Sequence, residues 1–128
     1  MTRYFLALAG LFGLTAVALG AFAAHGLKSH LAPALLSAFQ TGVQYQMLHA
    51  LALTLVALAL VIFRQQPEPV RWLTISGWLF IVGIVLFSGS LYALSLTGFG
   101  GFGPVTPLGG VSFLLGWICF MMAAFKTK

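Results

Sequence analysis

Acid is nearly absent from this chain. Glu68 is the only carboxylate side chain among 128 residues, and charged residues make up 5%. A soluble domain carries roughly 25%. With 61% apolar residues and a mean hydropathy of +1.08, no soluble fold of this size hides so much apolar surface, so the solvent is lipid. One domain over residues 1–128 is the natural count. The lack of acid also removes the usual partner that orients a catalytic histidine and most of the oxygen donors of a metal site. Cys119 is the only cysteine, which rules out an intrachain disulfide and leaves the redox compartment unread. No low-complexity tract or internal repeat is evident.

The net charge of +5 rests on six basic residues. Five of them flank apolar segments instead of clustering on a face, which suits topology signals and argues against a nucleic-acid partner. Four apolar runs follow, at about residues 4–24, 41–63, 72–96 and 108–125. Each is near the ~20 residues needed to cross a hydrocarbon core. The expected fold class is therefore all-α, an integral membrane protein built as a four-transmembrane-helix bundle. Ala21-Phe22-Ala23 resembles a signal-peptidase site. The run before it is longer than a signal peptide's apolar core, so it is read as a retained span.

The connectors are short. Pro33 suits a helix start, and residues 34–39 form a helical turn or two leading into the second span. Gln65 to Arg71 is expected to be a non-helical turn, because Pro67-Glu68-Pro69 bars regular structure. Thr97 to Pro107, with four glycines and two prolines, is expected to be a loop. Four spans put both termini and the 65–71 turn on one side, with Arg3, Arg64, Arg71, Lys126 and Lys128; the other side holds only Lys28. Positive residues stay cytoplasmic, so both termini are expected there, with the chain multi-pass in a bacterial inner (plasma) membrane.

Small residues mark packing faces, since they let helix backbones approach closely in lipid. At ~100° per residue, Ala9, Gly13, Ala16 and Gly20 share a stripe on the first span. Gly109, Ser112 and Gly116, continued by Cys119 and Ala123, make another on the fourth. Close contact with other helices is expected of both, within the protomer or across a homo-oligomer.

The polar residues concentrate between Gly20 and Ala50, which hold all three histidines and three of the five glutamines. Gln44, Tyr45, Gln46 and His49 fall in the first third of the second span. At ~1.5 Å rise per residue, His49 and Ser88 both lie about 12 Å below the outer ends of their spans. Tyr45 and His49 share one helical face, as do Ser88, Tyr92 and Ser95. A polar seam of Gln44, Tyr45, His49, Ser88, Tyr92 and Ser95 is expected inside the bundle, with His49 in reach of the Ser88–Tyr92 face or a trapped water.

Metal and haem sites are not expected. His25 and His30 are five apart and too shallow to pair with His49, and zinc needs further ligands that Cys119 and Glu68 do not supply at that depth. Ser88 and His49 lack an orienting acid. The glycines at 98–103 lack the lysine and following helix of a phosphate loop. No catalytic residue and no cofactor is assigned. His49 is the only residue of the Asp, Glu, Lys, Arg and His set inside any span, which raises a proton-coupled or small-solute role for an oligomeric channel or transporter as the alternative. The inner halves of spans one, two and four hold almost no polar side chains, so a non-enzymatic component acting through lipid or another membrane protein is the expected role.

Four ordered motifs carry a resemblance. Gly20-Ala-Phe-Ala-Ala-His-Gly-Leu27, Gln40-Thr-Gly-Val-Gln-Tyr-Gln-Met-Leu-His-Ala50, Phe87-Ser-Gly-Ser-Leu-Tyr92 and Thr106-Pro-Leu-Gly-Gly110 make the chain similar to the YgdD/YwdK family of small membrane proteins (domain of unknown function 423). The resemblance implies four transmembrane helices in a bacterial inner membrane or an organelle membrane, and no activity or catalytic residues.

Overall fold

A computed structural model describes residues Met1 to Lys128. Four long helices follow one another up and down: α1 (Thr2–His25), α2 (Pro33–Ile62), α3 (Pro67–Thr97) and α4 (Val105–Phe125), with a short 3₁₀ turn at Gly100–Phe102 and no strand. All four are long and apolar enough to cross a membrane. At 30 residues, α2 is ~45 Å long, more than the ~30 Å hydrocarbon core.

Two connectors depart from expectation for one reason. Pro67 and Pro69 lie in the first turn of α3, and Pro107 lies in the first turn of α4. The first four N–H groups of a helix have no intrahelical acceptor, so a proline there sacrifices nothing. The turn between α2 and α3 therefore shrinks to residues 63–66, and α4 starts at Val105. Gly98 ends α3 in the left-handed conformation (φ 68°), which a side chain would oppose. The amide of Lys128 donates to Gln66 Oε1 (3.0 Å), so the C-terminus lies at the α2–α3 turn.

α3 is not a uniform α-helix. Ile84–Ser88 is a π-helical segment, flanked by Gly83 and Gly89. Gly109 of α4 lies directly against the backbone of Phe87 in that segment, leaving no room for a Cβ. This close approach sets the α3–α4 pair. Ser112 Oγ donates to Leu79 O (2.7 Å), Ser76 Oγ donates to Gly116 O (2.8 Å), and a Cβ on Gly116 would meet Phe80 Cδ1 at 2.7 Å. Gly109, Ser112, Gly116, Cys119 and Ala123 are all buried, so the stripe on α4 faces α3 within one protomer.

The stripe on α1 divides. Ala9 and Ala16 are buried, and a Cβ on Gly20 would sit 3.3 Å from Val43 Cγ1 of α2. Gly13 does not share that contact: nothing lies within 4 Å of the Cβ it lacks. The ~100° step drifts across the stripe, and Gly13 falls off the buried edge. Phe5, Leu53, Val56, Leu73 and Phe80 make the main core; Ala23, Leu27 and Phe39 form a smaller cluster at the opposite end.

Candidate functional site

The polar residues of α2 separate into two nodes. Gln46 is the hub of the first. Its Nε2 donates to Phe12 O (2.9 Å) and to Thr15 Oγ1 (2.7 Å) of α1, and its Oε1 accepts from the Tyr92 hydroxyl of α3 (2.7 Å). Beside it, Ser88 Oγ donates to Gly42 O (2.7 Å), and the Tyr92 ring lies over Gly42, where a Cβ would meet Cε1 at 2.8 Å. One amide thus ties three helices. Gly42 is glycine because the α3 ring occupies the space a side chain would need.

His49 is the centre of the second node and is 4% exposed. Its Nδ1 lies 2.8 Å from Tyr45 O, and its Nε2 lies 3.1 Å from Trp117 Nε1 of α4. An indole N–H only donates and a carbonyl only accepts. Both contacts are met when Nδ1 carries the proton and Nε2 accepts, so the surroundings select that tautomer. The ring stacks on Phe113 with centroids 3.6 Å apart and planes at 10°. Phe80 and Trp117 pack around it.

His49 therefore lies inside the bundle, but its partner is Trp117 of α4, not the Ser88–Tyr92 face of α3. Gln44 and Tyr45 lie outside the internal network: Gln44 is exposed and Tyr45 is 38% exposed. Gln44 and Gln46 are ~200° apart on a helix, so only one of them can face α1 and α3. Ser95 is buried but donates back to Leu91 O of its own helix (2.7 Å), whereas Ser90, at Thr106 Oγ1 (2.6 Å), reaches α4. Gln46, Thr15, Gly42 and Trp117 are the members that the polar pattern did not single out. Gln46 was visible as the third glutamine of its cluster; the indole of Trp117, next to Gly116 of the small-residue stripe, gave no such sign.

A groove of about 420 Å³ opens beside His49, between α2, α3 and α4. Tyr45, Phe87, Phe113 and Trp117 wall it, His49 lies at its back, and Pro107 and Gly110 are at its rim. Nowhere do three His, Cys, Asp or Glu side chains converge.

Residues 19–110 match the family model described as "Protein of unknown function (DUF423)". The chain belongs to the DUF423 family. All four quoted motifs lie within or across that stretch. This DUF423 chain is 45% identical over 124 residues to the UPF0382 membrane protein YwdK of Bacillus subtilis, covering 97% of this chain and 98% of the relative. It is 44% identical to a UPF0382 membrane protein of Haemophilus influenzae over 100% of this chain and 98% of the relative. To the UPF0382 inner membrane protein YgdD of Escherichia coli it is 39% identical, over 99% and 93%. No solved structure matches. Membership, four apolar helices and these names establish an all-helical membrane protein.

Proposed function

We propose that this DUF423 protein is a non-enzymatic component of the bacterial inner membrane that acts through lateral contact with lipid or with another membrane protein, and conducts nothing through its own bundle. The observation that carries this is internal saturation. Every buried side-chain N or O atom has a partner in the same chain. A conduction path needs polar groups free to exchange partners across the whole thickness. Below His49 the hydroxyls of Thr54, Thr74 and Ser76 all donate to backbone carbonyls. The rest of that half is packed with Phe5, Leu53, Val56, Leu73 and Phe80. Five of six basic residues belong to the end with both termini, which supports cytoplasmic termini. The similarity to YgdD, an inner membrane protein by name, supports the location.

The test is flux. Protein reconstituted in vesicles with an internal pH dye should leak protons no faster than protein-free vesicles. Proton flux that His49→Gln abolishes would overturn the reading and favour the channel or transporter, with an axis between protomers.

A further inference from the structure

We propose that the groove beside His49 holds one glycerophospholipid, with an acyl chain against the aromatic wall and an ester or phosphate oxygen accepting from the Tyr45 hydroxyl. This deepens the reading of lateral contact and rests on it.

Three observations converge on a lipid. First, the groove is continuous with the lipid-facing surface: Val111 and Leu114, on its α4 side, are exposed at 52% and 66%. Second, its back wall offers no hydrogen bond. Both ring nitrogens of His49 are engaged, by Tyr45 O and Trp117 Nε1. What remains is ring faces, which suit hydrocarbon. Third, the Tyr45 hydroxyl makes no hydrogen bond within the chain, although its ring packs on Phe87 at 4.6 Å. Hydrocarbon cannot satisfy an O–H. Tyr45 lies one turn nearer the α2 N-terminus than His49, about 6 Å, and about 8 Å from Gln40. Helical side chains lean toward the N-terminus of their own helix, which points this hydroxyl toward the headgroup level, where lipid oxygens are. A partner helix fits the groove less well. Helices approach closely through small residues, and the small stripe of α4 is spent against α3. Beside the groove, α4 offers one small residue, Gly110, flanked by the exposed side chains of Val111 and Leu114.

The test is lipid retention. Delipidated protein in detergent is mixed with phosphatidylethanolamine and examined by native mass spectrometry. Wild type should carry one tightly held lipid per chain. Gly110→Leu fills the groove; a Cβ there would sit 3.9 Å from Phe87 Cδ2, an ordinary contact, so the variant should elute and melt as wild type does while its lipid-bound fraction falls several-fold. Tyr45→Phe keeps the ring and removes the hydroxyl. It should fold and release lipid several-fold more readily, and it decides the question alone should Gly110→Leu not fold. Equal retention in wild type and Tyr45→Phe overturns the proposal, as does equal retention in wild type and folded Gly110→Leu. A wild-type dimer that Gly110→Leu dissociates also overturns it, making a second copy the occupant. Loss of the lipid result leaves non-conduction standing, and proton flux would sink non-conduction while leaving the lipid site standing.

Discussion

Consider alanine at Gly13, Gly109 and Gly116, three glycines of two similar-looking stripes. Within a helix, alanine is favoured over glycine by about 1 kcal/mol. At Gly13 that gain meets no opposition, since nothing lies within 4 Å of the new Cβ; the variant should be more stable by about 0.5–1 kcal/mol. At Gly109 the new Cβ lands on the backbone of Phe87. No rotamer change relieves a clash with backbone, so α4 must move off α3. Overpacking of this kind costs about 1–3 kcal/mol. The bonds from Ser112 to Leu79 O and from Ser76 to Gly116 O would lengthen with it, at about 0.6 kcal/mol each. The propensity gain offsets part of this, and the net is a loss of about 1–3 kcal/mol. Gly116 lies between: the Cβ would meet the Phe80 ring at 2.7 Å, and that ring is fully buried. Thermal unfolding in a mild detergent should rank Gly13→Ala first, then wild type, Gly116→Ala and Gly109→Ala. Gly109→Ala melting at or above Gly13→Ala would refute the packing argument. Gly13→Ala melting below wild type would mean that a second helix covers that face.

The His49–Trp117 hydrogen bond should appear in a double-mutant cycle of His49→Leu and Trp117→Phe as a coupling of about 0.6 kcal/mol, the average for such bonds in membranes; a coupling of zero would remove Trp117 as the partner. Gln46→Leu should cost about 1–3 kcal/mol by stranding the Tyr92 hydroxyl in the bundle, and Tyr92→Phe should cost less, because the Gln46 amide keeps Phe12 O and Thr15; the reverse order in detergent unfolding would contradict the three-helix hub. A reporter fused after Lys128 should be active only on the cytoplasmic side, and an active outer-side reporter would invert the topology.

Much of the architecture was legible in the residues, because hydropathy over ~20 residues measures a helix against the bilayer directly. The spans, their short connections and the common end for both termini all follow from that measure and from the distribution of Lys and Arg. The first-turn prolines misled for a local reason: Pro67 and Pro69 bar a helix interior but not its start. The partner of His49 was missed for another. Ser88 and Tyr92 do share a face, but the stripe of α2 that meets it is Gly42 and Gln46. His49 lies ~60° around α2 from Gln46, which turns it to Trp117 of α4.

The sequence by itself determined the solvent, the number of crossings and the expectation that His49 is kept from lipid. Only the tertiary structure decided the partners: Gln46 and not Gln44 as the hub, Trp117 as the donor to His49, Gly13 facing open space while Gly109 touches backbone. The physical reason is the bilayer. In water, the buried face of a helix is its apolar face and can be read from the pattern. In lipid both faces are apolar, so the rotation of each helix is set by which small residue admits a neighbour's backbone and which polar side chain finds an acceptor, and those matches exist only between helices.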